Sequence, residues 1–349
     1  MNDYMRSPLR YPGGKQRDVL FLGEIIKQFL QDNVISEYRE PFLGGGSMLL
    51  SLLSGYNINH FWGNDAHPLL IDFWQQSKED VIQLCTIVES LKEEYTGPRK
   101  KSKQWTTFRI KYHNKLNNLE DNQLYKAARF FILNRSTASG TTESGGLTPL
   151  AYCERFTTSS IERLRLLGDN LKNVTFTCGD YSRLLTQEGK NTFIFLDPPY
   201  LSAEKSALYG KSGNLHKGFD HNQLAQNLQH CSHHWLMTID DCPEVIELYS
   251  NWAYIFRWSK FYGMTNFDGR KTKSGKELLV SSFSIDHLNL SKTTGIKTTS
   301  VNCLSKKIKF MLKGDPVDDA EKIIQKCGKN PNYLIKLIDE LKIYQDSKY

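Results

Sequence analysis

No stretch of the 349 residues approaches the ~18 apolar residues of a membrane helix; the longest candidate, Phe130-Phe131-Ile132-Leu133, is at most a buried turn. The opening Met1-Asn2-Asp3-Tyr4-Met5-Arg6 lacks the apolar core of a secretory signal. Cysteine is sparse and odd in number, seven residues without a Cys-x-x-Cys pair, which fits a reducing compartment. The expected location is the cytoplasm. Standard metal-ligand spacing is also missing. Cys231, His233, His234 and Cys242 come nearest, but adjacent histidines on a strand face opposite sides, so no metal site is expected. The glycine-rich turn at Gly44-Gly45-Gly46 is not followed by Gly-Lys-Ser/Thr, which rules out a Walker A loop. No internal repeat is present. Acid is scarce in two regions. Residues 97–135 carry ten Lys/Arg against Glu120 and Asp121, and residues 291–314 carry six Lys and no acid.

What remains is ordinary globular material, 39% hydrophobic and 24% charged, enough for a large core. The formal net charge of +7 leans towards an anionic partner. Strand signals at Ile35–Glu40, Ile58–Asn64, Val174–Thr177 and Thr192–Leu196 alternate with helical ones, as in a parallel α/β sheet. Trp235–Ile239, Ala253–Trp258 and Leu278–Ser284 complete the set. Between the second and third strands lie about a hundred helical-looking residues, too many for a simple crossover. They read as an inserted subdomain. Trp105, Phe108, Tyr112, Tyr125 and Phe130 punctuate its basic centre. Two readings stand: a phosphate-tracking surface, or a solvated face whose aromatics pack inward. Asn134–Gly146, rich in small polar residues, reads as an exposed recognition loop. Beyond residue 286 a basic linker leads to amphipathic turns at Ile323 and Leu334–Leu341.

Chemistry concentrates at strand ends. Glu40-Pro41-Phe42-Leu43-Gly44-Gly45-Gly46-Ser47 is a βα turn in which glycines let backbone approach a ligand. Asp65, closing the next strand, stands where an acid binds ribose hydroxyls. The turn Tyr11-Pro12-Gly13-Gly14-Lys15 offers an aromatic face and an ammonium. Asp197-Pro198-Pro199-Tyr200 follows the apolar strand Phe193-Ile194-Phe195-Leu196. Its carboxylate, proline carbonyls and ring suit a planar base held by its exocyclic amino group. In open α/β sheets such strand ends are where ligands bind.

Taken in this order, over residues 7–285, these motifs together with Asn64-Asp65 and Gly179-Asp180-Tyr181 resemble the Dam-like (D12 class) S-adenosylmethionine-dependent DNA adenine-N6 methyltransferases. Tyr262–Asn266 and Gly275–Leu279 look like that family's closing hairpin. The resemblance implies an α/β, Rossmann-like seven-stranded methyltransferase sheet with an inserted, mainly helical DNA-recognition subdomain. The catalytic domain would comprise residues 1–67 and 173–285, the inserted subdomain 68–172, and the basic linker and small helical tail 286–349. S-adenosylmethionine would be the cofactor. Glu40, Phe42, Gly44 and Gly46 would line its methionine side, Asp65 its ribose, and Asp180 its adenine amino group with Tyr181 alongside. Tyr11 and Lys15 would close the pocket. Asp197, Pro198 and Tyr200 would be catalytic, gripping and stacking a flipped adenine, a reaction that needs orientation and no metal.

Double-stranded DNA would be the partner. Lys100, Lys101, Lys103, Arg109, Lys111 and Lys115 in the insertion would contact it, with Asn134 and Arg135 at the loop and Lys271 and Lys273 further on. Leu201–His221 would order over the base. The resemblance also allows a cognate restriction endonuclease acting on the same site, and a monomer or weak dimer. The family's hairpin for reading GATC is not recognisable in Asn134–Gly146, so the target sequence is open. Alternatives are the same chemistry on RNA adenine, cytosine N4 or a glutamine amide, an NAD-dependent oxidoreductase, and a silent DNA-binding or specificity subunit. Asp197 favours adenine over cytosine, and the oxidoreductase reading leaves Asp-Pro-Pro-Tyr idle.

Overall fold

A computed structural model describes residues 4–11, 14–53, 55–137, 140, 142, 146–201, 218–259, 276–286, 288, 290, 294, 296 and 298–301. In chain order its strands are β1 (Glu37–Glu40), β2 (His60–Asp65), β3 (Val174–Cys178), β4 (Thr192–Leu196), β5 (His234–Asp240), β6 (Tyr254–Ser259), β7 (Lys276–Ser281) and β8 (Thr298–Ser300). They form one sheet of order β3-β2-β1-β4-β5-β7-β6-β8. The first five strands pair in parallel; β7 lies antiparallel between β5 and β6. The sheet among the described residues therefore has eight strands where seven were expected. The addition is β8, paired antiparallel with β6 from within the stretch read as linker. Its sequence, Thr298-Thr299-Ser300, carries β-branched residues but no apolar alternation to announce it. Residues 302–349, with the expected tail, lie outside the described residues, as do 202–217, Lys271 and Lys273.

The core is split by the period-two rule of a buried strand. In β4, Phe193 and Phe195 join one apolar cluster, while Ile194 and Leu196 join another on the opposite face. The chain runs outward through β1, β2 and β3, then returns to place β4 beside β1, in register Glu37↔Thr192. That reversal opens a crevice at the carboxyl ends of β1 and β4.

The helices are α1 (Val19–Asp32), α2 (Ser47–Leu53), α3 (Pro68–Glu79), α4 (Val81–Leu91), α5 (Lys103–Asn117), α6 (Gln123–Ser136), α7 (Pro149–Glu154), α8 (Thr158–Arg165), α9 (Ser182–Thr186), α10 (His221–Gln229) and α11 (Pro243–Tyr249). Several starts are written locally. Asp80, Ser102, Asn122 and Thr148 each cap a helix, accepting from the amide three residues on. Helices α3 to α8 fill the expected insertion, but α3 also covers the sheet. Its Trp74 stacks on Phe176 of β3 at 5.8 Å, and its Phe73 stacks on Phe131 of α6 at 5.9 Å. Insertion and sheet thus share one apolar cluster. Trp105, Tyr112 and Phe130 are buried in it and Phe108 and Tyr125 pack against it, so the aromatics of the basic stretch point inward.

Candidate active site

The crevice at the switch point holds a cavity of about 540 Å³, within the ~300–1,000 Å³ typical of small-ligand sites. Its lining includes every residue expected to hold a cofactor and all three expected to be catalytic, drawn from four strand ends and the N-terminal turn. Buried Asn64 helps hold the strand ends. Its Nδ2 donates to the carbonyls of Pro41 (3.2 Å) and Gly179 (3.0 Å), and its Oδ1 accepts from Thr177 (2.8 Å).

The turn after β1 is tight. Gly44 (φ +47°) and Gly46 (φ +61°) occupy the left-handed region, and a Cβ on either would sit 2.9 Å from the Tyr11 ring or the Trp74 ring. Tyr11 therefore packs directly against the turn. Asp65 secures it: one oxygen accepts from the Gly44 amide (2.9 Å), the other from the His67 amide (3.0 Å). Glu40 is buried, accepting at one oxygen from the Leu49 amide (2.9 Å) and the Tyr38 hydroxyl (3.2 Å). Burial pushes Glu40 well above the usual carboxylate range; repulsion from Asp197 and Asp65 adds to this, and the two hydrogen bonds oppose it. Burial raises Asp65 as well, against the Gly44 and His67 amides.

Across the crevice, Phe42 stacks on Tyr181 at 5.2 Å, and Phe219 closes the group at 5.6 Å from each. Asp180 accepts from the Ser182 amide (2.8 Å) at the start of α9. The donor set is thus a rim of carboxylates around an aromatic slot. It fits a planar ring, vicinal hydroxyls and positive charge on one ligand.

At the end of β4, Asp197 Oδ1 accepts from the Lys15 ammonium at 2.6 Å and from the Thr238 hydroxyl at 2.8 Å. Lys15 is only 4% exposed and lies 5.1 Å from the centre of the Tyr200 ring. Burial, with Asp197 and Glu277 nearby, keeps the Tyr200 phenol well above its ordinary pKa. Lys15 accordingly serves the Asp-Pro-Pro-Tyr end of the cavity. Thr238 and Phe219 escaped the sequence reading. Thr238 left one signal, a hydroxyl in the otherwise apolar run Trp235–Ile239 of β5, the neighbour of β4.

The expected nucleic-acid residues divide. Lys100, Lys101, Lys103, Arg109 and Lys111 are exposed and Lys115 half-buried; Lys111 and Lys115 turn towards Glu93 at 3.6 and 3.0 Å. Asn134 and Arg135 are a correction. They are 0% and 5% exposed and spend their polar groups on backbone: Asn134 on Arg10 and Gly140, Arg135 on Arg155 and Pro8. As the last turn of α6 they face inward and hold the loop rather than reading through it. Among the described residues no group of three His, Cys, Asp or Glu converges as a metal site, and no helix is long and apolar enough to cross a membrane.

Residues 11–264 match the model of the D12 class N6 adenine-specific DNA methyltransferases. The chain is 25% identical to the type II methyltransferase M.MjaIII of Methanocaldococcus jannaschii, over 58% of this chain and 71% of that protein. It is 22% identical to the DNA adenine methylase of Vibrio cholerae, over 58% and 68% respectively. With the type II methyltransferase M1.LlaDCHI of Lactococcus lactis it shares 22% identity, over 62% and 72%.

Proposed function

The chain belongs to the D12 class N6 adenine-specific DNA methyltransferases, and from that premise we propose that its methyl donor is S-adenosylmethionine and its target an adenine flipped from duplex DNA at a specific sequence. The observation that carries this is the carboxylate of Asp197, fixed at one oxygen by Lys15 and Thr238 at the edge of a carboxylate-rimmed cavity.

Glu40 and Phe42 would line the donor's methionine side, Asp65 its ribose hydroxyls, and Asp180 its adenine amino group with Tyr181 beside the ring. The bound donor supplies an electrophilic sulfonium methyl. The chain's own residues supply orientation. An adenine amino nitrogen is a weak nucleophile because its lone pair is delocalised into the ring. With Oδ1 occupied by two donors, Asp197 offers Oδ2 to one N6 hydrogen, and the Pro198 carbonyl takes the other. Accepting both hydrogens draws the nitrogen towards tetrahedral geometry and directs its lone pair into the cavity. Lys15 and Thr238 keep Asp197 aimed. Tyr200 provides a face against which the flipped base stacks, offsetting part of the few kcal/mol that unstacking costs. Lys100, Lys101, Lys103 and Arg109 would approach the duplex from the exposed side of α5.

The names of two relatives, both type II methyltransferases, support a cognate restriction endonuclease as partner. Residues 1–67 and 173–285 would be the catalytic domain, with α3 shared between it and the insertion.

Modified-base sequencing of duplex DNA incubated with the protein and S-adenosylmethionine tests the reading. N6-methyladenine is expected in one sequence context. Asp197→Ala should lower its formation by at least ~10²-fold, the order carried by one preorganised contact at a reacting centre, with donor binding retained. Methylation by Asp197→Ala at near the wild-type rate, or methyl groups on cytosine, would overturn it.

A further inference from the structure

Five arginines converge where the N-terminal segment crosses the inserted helices. At their centre is buried Arg135. Its Nε and Nη2 donate to the Arg155 carbonyl (2.8 and 2.6 Å), and its Nη1 donates to the Pro8 carbonyl (3.2 Å). One guanidinium therefore draws two distant stretches of chain together. Arg6 and Arg10 flank Pro8, and Arg163 projects from α8. Arg6 and Arg155 are exposed; Arg10 and Arg163 are half-buried.

Arg135 bonds backbone carbonyls, Arg163 Nε donates to the Ser159 carbonyl (3.2 Å), and Arg10 Nη1 to the Thr137 carbonyl (3.0 Å). Among the described residues no carboxylate pairs with Arg6, Arg135, Arg155 or Arg163. Three other cations of the insertion do have a carboxylate partner: Arg99 has Glu154 at 2.9 Å, Lys126 has Asp121 at 2.8 Å, and Arg165 has Glu89 at 2.6 Å. The electrostatics register the crowding. Burial, then Arg163, Arg10 and Arg155, push Arg135 down to about 9. Arg163 is lowered by burial and Arg6, and Arg10 by burial and Arg155. Gathering like charges around a buried guanidinium opposes folding unless something anionic answers it.

We infer that Arg6, Arg155 and Arg163, braced from beneath by Arg135, form a backbone-phosphate site for the DNA duplex at the seam between the insertion and the N-terminal turn. The site rests on the reading that duplex DNA is the substrate. Three arginine heads drawn from two chain segments suit a line of phosphodiesters better than one small anion, since guanidinium forks match phosphate oxygens pairwise. The position is also apt. Arg10 precedes Tyr11, which lies on the glycine turn, and Lys15 of the same segment reaches Asp197. A strand gripped here is held by the segment that completes the catalytic centre.

The test is the salt dependence of duplex binding by the full chain, read by fluorescence anisotropy. Each phosphate neutralised contributes about −0.9 to the slope of log K against log salt. Arg155→Gln with Arg163→Gln should reduce the slope's magnitude by about 1–2, with S-adenosylmethionine affinity unchanged. Arg155→Lys with Arg163→Lys should restore the slope. A wild-type slope in the Gln pair overturns the inference alone. A slope lost equally in the Lys pair also overturns it, because positive charge would then not be the operative property. A wild-type protein that does not bind duplex DNA overturns the proposed substrate and this site together.

Discussion

At the scale of single residues, Glu40 shows what the site costs the fold. Its carboxyl is raised well above the ordinary range, chiefly by burial. A carboxyl raised in the fold binds its proton more tightly there than in the unfolded chain. Its stabilising contribution is complete below the ordinary carboxylate pKa and is lost as pH rises from that value through the raised one. Glu40→Gln removes that loss while keeping an oxygen for the Leu49 amide and the Tyr38 hydroxyl. At neutral pH the variant should melt about 2–4 °C higher, the shift that ~1 kcal/mol produces in a domain of ~150–250 residues, and the gain should vanish in acid. Its affinity for a cationic donor should fall. Calorimetric melts at two pH values and a donor titration check both halves; a lower melting temperature with unchanged affinity would refute the account. Glu40, Asp65 and Asp197 were legible because each follows a strand run and precedes a turn. Thr238 was not, because its role depends on β5 lying beside β4, a pairing that no local pattern records.

Among elements, α6 does most to join the insertion to the catalytic centre. Its residue Asn134 exchanges hydrogen bonds with the Arg10 backbone in both directions, at 2.8 Å each way, and holds the Gly140 carbonyl at 2.9 Å. Asn134→Ala would strand buried backbone groups at about 1–3 kcal/mol apiece. We expect a lower melting temperature, together with a fall in kcat larger than any change in donor affinity, since the loosened turn carries Lys15. Thermal melts beside single-turnover kinetics would check this; an unchanged kcat would show that the turn holds itself. Read along the sequence, Asn134 and Arg135 open an exposed loop; in the fold they close α6 and face inward. A polar Asn-Arg-Ser run before a glycine-rich loop looks solvated in one dimension, and its partners at residues 8–10 lie more than a hundred positions away. The five inserted aromatics show the same ambiguity, settled here by burial.

For the whole molecule, binding linked to folding gives the broadest check. S-adenosylmethionine at ~100 times its Kd should stabilise the protein by about 2.7 kcal/mol, raising its melting temperature by roughly 5–10 °C. NAD should leave it unmoved, and the reverse pattern would restore the oxidoreductase alternative. The parallel half of the sheet and its switch point were readable as alternating strand and helix signals. The eighth strand was not, being three polar residues recruited by the edge of β6. The ion pair of Lys15 and Asp197 spans 182 positions. On the ribosome, at about 5–20 residues per second, the lysine emerges some 9–36 s before its partner, and Thr238 comes later still. A nascent chain therefore carries no competent centre until β5 has been made. Until β7 follows it, β5 stands as an apolar edge open to wrong pairing.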